Sequence, residues 1–370
     1  MEYELGDDEQ AFQETTRKFL EAESPLTEVR RLSETESGFD PAWWRHGAEL
    51  GWTSLLVSEE DGGAGLGTDG IRYLALVAEE VGRLVSPGPL APTNVVAAML
   101  SRSGSDEQRG AWLEGLVAGT TIGAWAVAPS KKTGDLTATA AGDGVVLSGT
   151  ARAVEAAAEA DVLLVTALGA SGPVNVVLPA GTGGVTVERQ GGLDLVRRYG
   201  NVTFADVEVG AEAIVGAGSA GEDADFALAV ALALQAVESA GAADRVLEFT
   251  LEYMNDRYSF GRPLSSYQAL KHRFADMKLW LEASHATADA AVRELSEGTD
   301  GLHLARVAKI YTGDFLPELV QDCVQMHGGI GVTWEHDIHL YLRRIASNRF
   351  VLGDPAAHRD ALAANLLATL

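Results

Sequence analysis

This sequence of 370 residues has few cysteines and few basic residues, and it shows no pattern typical of a signal peptide. The single cysteine, Cys323, excludes an intrachain disulfide and any cluster of cysteine ligands around a metal. Only 28 lysines and arginines stand against 53 aspartates and glutamates, which gives a formal net charge of −25. Because nucleic acids and anionic membranes bind basic surfaces, this balance argues against both as partners.

Segments that would carry the chain to or through a membrane are also not expected. The longest apolar stretches, such as residues 226–236, look too short to cross a bilayer. The first ten residues, MEYELGDDEQ, are acidic and polar, unlike a secretory signal peptide. We therefore expect a cytoplasmic protein.

The pattern along the chain changes twice, which predicts three domains: residues 1–119, 120–215 and 216–370. The first and third carry helical periodicity, and the second carries short Val- and Leu-rich runs separated by turn residues. No crossover helices separate these runs, so we expect an antiparallel β barrel or sandwich. The lengths of the last helices predict a four-helix bundle. Predicted helices cover residues 9–21, 41–50, 68–85, 106–119, 224–258, 265–296, 302–326 and 355 onward, and predicted strands cover 122–127, 144–148, 161–166, 174–178, 185–189 and 201–209.

Two segments have some features of a ligand-binding motif, but we assign no ligand to either. The glycine-rich segment 58–70 lacks the strand–turn–helix setting of a phosphate-binding loop, so we interpret it as a turn before a helix. His336 and His339 lie three residues apart, but no nearby ligands complete a metal shell around them. The sequence therefore predicts no metal site.

Three segments resemble signatures of the acyl-CoA dehydrogenase family. Residues 257–277, RYSFGRPLSSYQALKHRFADM, resemble its R-x-x-F-G-x-P-L-x-x-x-Q motif, and residues 325–344 resemble its Q-x-x-G-G-x-G segment. Residues 106–119 resemble the stretch that closes its first domain. The resemblance covers essentially the whole chain. It implies the family fold, with FAD between the β domain and the C-terminal bundle and its far end reaching a neighbouring subunit.

The resemblance also implies residues that hold the ADP half of an FAD bound mainly by the neighbouring subunit. A guanidinium can bond pyrophosphate oxygens, a phenyl ring can pack on adenine, and paired glycines let backbone approach a ligand closely. The residues at the matching positions are Arg257, Ser259, Phe260, Gln268, Gln325, Gly328 and Gly329.

The family reaction needs a carboxylate that removes the α-proton of an acyl-CoA while the β-hydrogen leaves as hydride to the flavin. The family supplies this base from one of two positions. In this sequence, Leu352 occupies the position before Gly353, and Ala231 occupies the position 26 residues before Arg257. Neither side chain can accept a proton, so we assign no catalytic residue.

The expected pocket beside the flavin ring also departs from the family pattern. In the segment VAPSKKTGD, Val127 and Ala128 precede Pro129 where the family has threonine and glutamate. Farther along, Ala153 stands where tryptophan is expected and Glu155 where threonine is expected. A buried, unpaired glutamate facing a flavin would be costly.

We therefore predict a non-catalytic subunit that completes the FAD site of a homologous catalytic subunit acting on an acyl-CoA. Such pairs resemble the α2β2 heterotetramers of actinobacterial steroid and lipid degradation. One alternative is a self-sufficient homomeric enzyme with Glu238, seven residues after Ala231, as a relocated base. The other is a binding or scaffold protein without flavin chemistry.

Overall fold

The computed structural model describes residues 5–128, 134–299 and 301–368. Its first region is helical: α1 (Asp7–Glu23), α2 (Leu26–Ser33), α3 (Pro41–Glu49), α4 (Gly70–Arg83), α5 (Leu90–Ser103) and α6 (Asp106–Val117). Local sequence sets several starts. The Asp40 side chain accepts a hydrogen bond from the Ala42 amide at 2.7 Å, and Pro41 takes the first position of α3. The glycine-rich segment 58–70 forms a turn region before α4, as predicted.

Helix α5 was not predicted because it lacks an amphipathic pattern. Its first eleven residues are buried on nearly every side, so polar and apolar residues do not alternate with a helical period. It packs between α7 and the β region. A helix enclosed in this way carries no periodic signal in the sequence.

The middle region forms one sheet with β1 (Gly123–Val127), β2 (Gly134–Ala141), β3 (Gly144–Glu155), β4 (Val162–Gly169), β5 (Gly172–Pro179), β6 (Val185–Gln190), β7 (Tyr199–Val209) and β8 (Ile214–Val215). The strand order is β6-β7-β3-β2-β4-β5-β8, and β1 lies beside β4. Most neighbouring strands are antiparallel, as expected, but the sheet is mixed: β1 pairs with β4 in parallel, and β2 touches β4 in parallel. The parallel neighbours β1 and β4 are connected through the β2–β3 hairpin, so this connection contains no crossover helix.

The third region contains α7 (Ala220–Asp256), a hairpin of β9 (Tyr258–Ser259) and β10 (Arg262–Pro263), α8 (Gln268–Ser296), α9 (Leu302–His327), α10 (Ile338–Phe350) and α11 (Pro355–Ala368). Long helices were predicted at α7, α8 and α9, whereas α10 was missed. The backbones of α4 and α7 touch: a Cβ added at Gly82 would lie 2.0 Å from the Glu238 carbonyl oxygen. This contact joins the first region to the last.

Within the described residues, α7 is the one helix long and apolar enough to cross a bilayer, with a mean hydropathy of 1.6. The expectation that apolar runs are too short was therefore wrong for this helix. However, 94% of its apolar window is buried inside the protein. Its apolar character is that of a core helix.

Candidate functional site

A cavity of about 60 Å³ lies where the helical and β regions meet. One wall is apolar and comes from α4, α5 and α7. The opposite wall comes from β1, β3 and the turn after α10. Space of this size holds a few water molecules. Residues of the apolar wall are Ala78, Leu90, Ala91, Pro92, Val95 and Leu234.

Both positions predicted to lack the catalytic base line this one cavity. Ala231 reaches it from α7, and Leu352 reaches it from the turn after α10. Val127 and Ala153, from the predicted ring pocket, line it as well. The structure thus brings together four positions that are far apart in sequence. Pro129 and residues 130–133 of the same segment lie outside the described residues.

The backbone at Leu352 is left-handed, with φ of 63°, a conformation that a branched side chain adopts only under constraint. Lys309, on α9, supplies the constraint. Its ammonium donates to the Val351 carbonyl oxygen at 2.8 Å, to the Asn348 carbonyl oxygen and to the Gln235 side chain. Burial lowers the pKa of Lys309 to about 7. The turn that would carry a base is thus held firmly, although it presents leucine.

Glu238, the alternative candidate base, lies at the cavity but is tied into ion pairs. Its carboxylate accepts from Arg197 at 2.6 and 2.8 Å, from Arg344 at 2.6 Å and from Asn348 at 3.2 Å. Burial alone would raise its pKa, but the two guanidiniums hold the pKa below its usual value. A carboxylate held in this way is a poor proton acceptor.

Glu155, the second cavity carboxyl, is buried next to a cation. Its Oε1 lies 3.1 Å from Nε of Arg197, within ion-pair distance, but among the described residues this oxygen has no hydrogen-bond partner. Burial nevertheless dominates and raises the pKa of Glu155 to about 7, with Arg197 opposing the rise. The predicted penalty for a buried, isolated glutamate is thus partly relieved.

These residues belong to a buried ion cluster, which we define as Glu155, Asp194, Arg197, Glu238 and Arg344. Arg344, on α10, is fully buried and donates to both Asp194 and Glu238. Asp194 and Arg197 come from the loop between β6 and β7. Sequence reasoning missed Asp194, Arg197 and Arg344, because their partners lie 41 to 150 residues away.

The seven residues predicted to hold the ADP group lie at one end of the bundle, which we call the clamp end. Helix α8 runs antiparallel to both α7 and α9, so the end of α7, the start of α8 and the end of α9 meet. Two contacts fix this arrangement: Arg273 pairs with Asp322 between α8 and α9, and Tyr253 stacks on His327 with ring centroids 4.5 Å apart. The structure therefore brings the two sequence motifs to the same end.

The hairpin at the clamp end presents Phe260 to solvent. Phe260 is 97% exposed and has φ of 51°, and Gly261 follows with φ of 81°. Positive φ at both central residues defines the tightest hairpin turn, which favours Asn-Gly or Gly-Gly rather than phenylalanine. The turn is anchored by the Tyr267 hydroxyl, which donates to the Ser259 carbonyl at 2.7 Å. An exposed aromatic ring on a strained backbone is typical of a binding position.

Charge and open backbone complete the clamp end. Among the described residues, neither Arg257 nor Lys271 forms an ion pair, although the chain carries a net charge of −25. Arg262 lies over the Tyr267 ring, 3.9 Å from its centroid. A Cβ added at Gly328 or Gly329 would meet nothing within 4 Å, so this backbone is open to a ligand. The arrangement can bind an anionic group that carries an aromatic ring.

His336 and His339, considered as metal ligands from their spacing, make contacts with nearby residues. Nδ1 of His336 accepts from the Ile338 amide at 3.1 Å, at the start of α10. His339 stacks on Trp334, with ring centroids 4.5 Å apart. Both rings are therefore engaged in contacts within the chain.

Comparison with known proteins shows which protein family the chain resembles. Family models for the acyl-CoA dehydrogenase N-terminal and C-terminal domains match residues 6–120 and 225–367. Acyl-CoA dehydrogenase IpdE2 of Mycolicibacterium smegmatis is 31% identical over 352 residues, which are 95% of this chain and 96% of that protein. The Tcur3481–Tcur3483 steroid ACAD structure has 30% identity and a TM-score of 0.88, with 99% of each chain covered. The ChsE4–ChsE5 complex from Mycobacterium tuberculosis has a TM-score of 0.90 at 24% identity, again over 99% of each chain, and shows the fold alone.

Members of this family bind FAD and oxidise CH–CH bonds. The matches extend over both helical regions, and the structure reproduces the helical, sheet and helical order that the motifs implied. Since one relative passes 30% identity along nearly the full length of both proteins, the chain belongs to the acyl-CoA dehydrogenase family.

Proposed function

We propose that this chain is the non-catalytic subunit of a heteromeric acyl-CoA dehydrogenase and completes the FAD site of a homologous catalytic subunit. One observation carries the proposal. Ala231 and Leu352, the two base positions, line the same cavity, and the acids of that cavity, Glu155 and Glu238, are held in ion pairs.

The cavity does not fit the family chemistry. Removal of an α-proton needs a carboxylate with a free lone pair facing the substrate and shielded from water. Glu238 directs its oxygens to Arg197 and Arg344 instead. Where the resemblance expects tryptophan and threonine beside a flavin ring, Ala153 and the charged Glu155 line the space. We therefore derive no proton transfer at this cavity.

The clamp end does fit the ADP portion of FAD. Arg257 would bond the pyrophosphate, Phe260 would pack on the adenine, and the open backbone at Gly328 and Gly329 would allow close approach. When bound to a catalytic subunit, FAD accepts the hydride from the substrate. The role of this chain is to bind and orient the far end of that cofactor across the subunit interface.

Two relatives support a heteromeric assembly and a substrate class. The ChsE4–ChsE5 structure is a complex of two proteins, and the Tcur3481–Tcur3483 protein is described as a steroid ACAD. We extend both properties to this chain: a catalytic partner of the same family, and a steroid-derived acyl-CoA as substrate of the pair. We also place the pair in the cytoplasm.

The first experiment measures FAD per subunit from the visible spectrum. The chain purified alone is expected to contain little FAD and to show no acyl-CoA dehydrogenase activity. Purified with its homologous catalytic subunit, it is expected to contain about one FAD per pair. One FAD per chain and turnover from the chain alone would overturn the proposal. In that case, loss of turnover in Glu238→Gln would favour the homomeric alternative.

A second readout uses ADP as the probe and the chain alone. We expect calorimetric titration to detect ADP binding that Arg257→Ala weakens roughly 10–100-fold, because a hydrogen bond to a charged group contributes about 1.5–3 kcal/mol. Arg293→Ala is the matched control, since Arg293 lies at the opposite end of α8. No difference between the two variants would argue against the clamp. Complete failure to bind ADP would favour the scaffold alternative.

A further inference from the structure

Three side chains that the proposed function does not use converge on one point, and none of them lines the cavity. Glu79 comes from α4, Asp244 from α7 and His285 from α8. Their ligating atoms all lie within 4.8 Å of one another. We propose that Glu79, Asp244 and His285 form a binding site for one divalent transition-metal ion of the Zn²⁺ type, which ties the N-terminal helices to the C-terminal bundle.

The donor set matches this class of ion. One imidazole nitrogen and two carboxylate oxygens are ligands that Zn²⁺ takes at about 2.0–2.2 Å, commonly with water as the fourth ligand. A tetrahedral shell of that radius separates its ligand atoms by roughly 3.3–3.6 Å. The observed atoms bracket this spacing: Nε2 of His285 lies 2.6 Å from Asp244, and the full set lies within 4.8 Å. Small side-chain rotations would close the shell.

Negative charges outnumber positive charges around the trio, which favours binding of a cation. Asp244, Glu79 and the nearby Asp289 face one histidine. Two arginines lie near these carboxylates, but their hydrogen bonds go to other residues: Arg83 donates to Glu248 at 2.8 Å, and Arg17 donates to Glu80 at 2.6 and 2.9 Å.

The carboxylate of Glu79 has unused hydrogen-bonding capacity. It accepts one hydrogen bond, from Gln13 at 3.2 Å, which leaves acceptor capacity on its carboxylate. Burial raises the pKa of Glu79 to about 7, with His285 opposing the rise. A divalent ion could bind this carboxylate through its remaining lone pairs.

The helices that carry the ligands are fixed with respect to each other. A Cβ added at Gly241 would lie 2.3 Å from the Glu79 carbonyl oxygen, so α4 and α7 are in backbone contact next to the trio. The ligands are therefore presented by a rigid frame. Sequence analysis did not predict this site, because positions 79, 244 and 285 share no ligand motif.

The experiment titrates Zn²⁺ into the full chain after treatment with a chelator. We expect one Zn²⁺ per chain by calorimetry and a rise in the unfolding temperature that chelator reverses. Co²⁺ should bind at the same site and give the visible absorption of a tetrahedral ion. Mg²⁺ should have no effect, since it prefers six oxygen ligands. Zn²⁺ affinity should fall at lower pH as protons compete for His285.

Variants decide whether these residues are the ligands. His285→Gln and Glu79→Gln should each weaken Zn²⁺ binding by more than the roughly 10–100-fold seen when an outer-shell group is lost. His303→Gln removes an exposed histidine on α9 and should leave binding unchanged. Glu79→Gln preserves shape, so it stays informative if His285→Gln fails to fold.

Absence of stoichiometric Zn²⁺ binding would overturn the proposal. So would equal binding by Glu79→Gln and the unchanged chain, or an equal loss in His303→Gln. None of these outcomes depends on FAD content. The metal site and the proposed function therefore fail separately.

Discussion

At the clamp end, Arg257, Phe260 and the backbone at Gly328 lie open to solvent, and among the described residues Arg257 has no ion-pair partner. At the cavity, the charged side chains are buried and bonded to one another, as with Arg344 and Glu238. Both regions carry charge, and the proposed function assigns them to the two halves of a flavin site. They differ in whether the charge is available to a ligand.

Under the proposed function, this difference explains how a binding role can persist without a catalytic one. An exposed group with no partner in the chain keeps its full capacity to bind an external anion. A buried group must satisfy its charge inside the protein, because an isolated buried charge is strongly unfavourable. Once Glu238 is shared by two arginines, it serves stability rather than proton transfer. Each prediction below tests one side of this contrast.

The largest effect is expected in the buried ion cluster. Arg344→Met removes the guanidinium that faces Asp194 and Glu238, leaving both carboxylates under-compensated. Breaking a buried pair in this way should lower the free energy of unfolding by about 3–5 kcal/mol, measured by urea denaturation. Arg343→Met is the matched control, because Arg343 is partly exposed and should change stability by only about 0.5 kcal/mol. Equal losses in the two variants would contradict the cluster's role.

A smaller, pH-dependent effect is expected at Glu155. Its folded pKa of about 7 lies above the ordinary value of 4.5, so the folded protein binds the extra proton between these values. The resulting contribution to stability is present below pH 4.5 and is lost as pH rises towards 7; it amounts to at most about 3 kcal/mol. Glu155→Gln should therefore gain stability relative to the unchanged chain between pH 5.5 and 8.

The measurement is the difference in the free energy of unfolding between the two proteins at each pH. Titrating groups that do not interact with Glu155 cancel in that difference. Glu188→Gln, at an exposed carboxyl on β6, should show no such trend. A difference for Glu155→Gln that stays constant with pH would show that Glu155 remains ionised throughout the range.

The smallest stability effect is expected at the clamp end. Phe260→Asn gives the hairpin an Asn-Gly turn, which suits positive φ at both positions, and removes a ring that is 97% exposed. The variant should be as stable as the unchanged chain or up to about 1 kcal/mol more stable, and it should bind ADP more weakly. Phe260→Ala, which removes the ring but keeps the unfavourable backbone, should lose ADP affinity without gaining stability. Unchanged ADP binding in both variants would remove Phe260 from the clamp.

Much of the fold could be predicted because its signals are local. The helix starts predicted at 41 and 106 and the long periodic helices α8 and α9 appeared at or close to the predicted positions. Helices α2, α5 and α10 were missed, and strands β2, β8, β9 and β10 were not predicted. The domain boundaries at 119 and 215 stay predictions, although α6 ends at Val117 and β1 begins at Gly123.

The clamp motif was readable for the same reason: each of its two segments is continuous, and the helices that carry them are long and antiparallel. The sequence also determined that Leu352 and Ala231 carry no proton acceptor, since this depends only on residue type. The tertiary structure decided how the remaining charges are used. Glu155, Asp194, Arg197, Glu238 and Arg344 meet only because the end of β3, the loop before β7, the middle of α7 and α10 pack together. Glu79, Asp244 and His285 meet only because three separate helices converge. A charge's partner depends on distance in space, and that distance is set by packing.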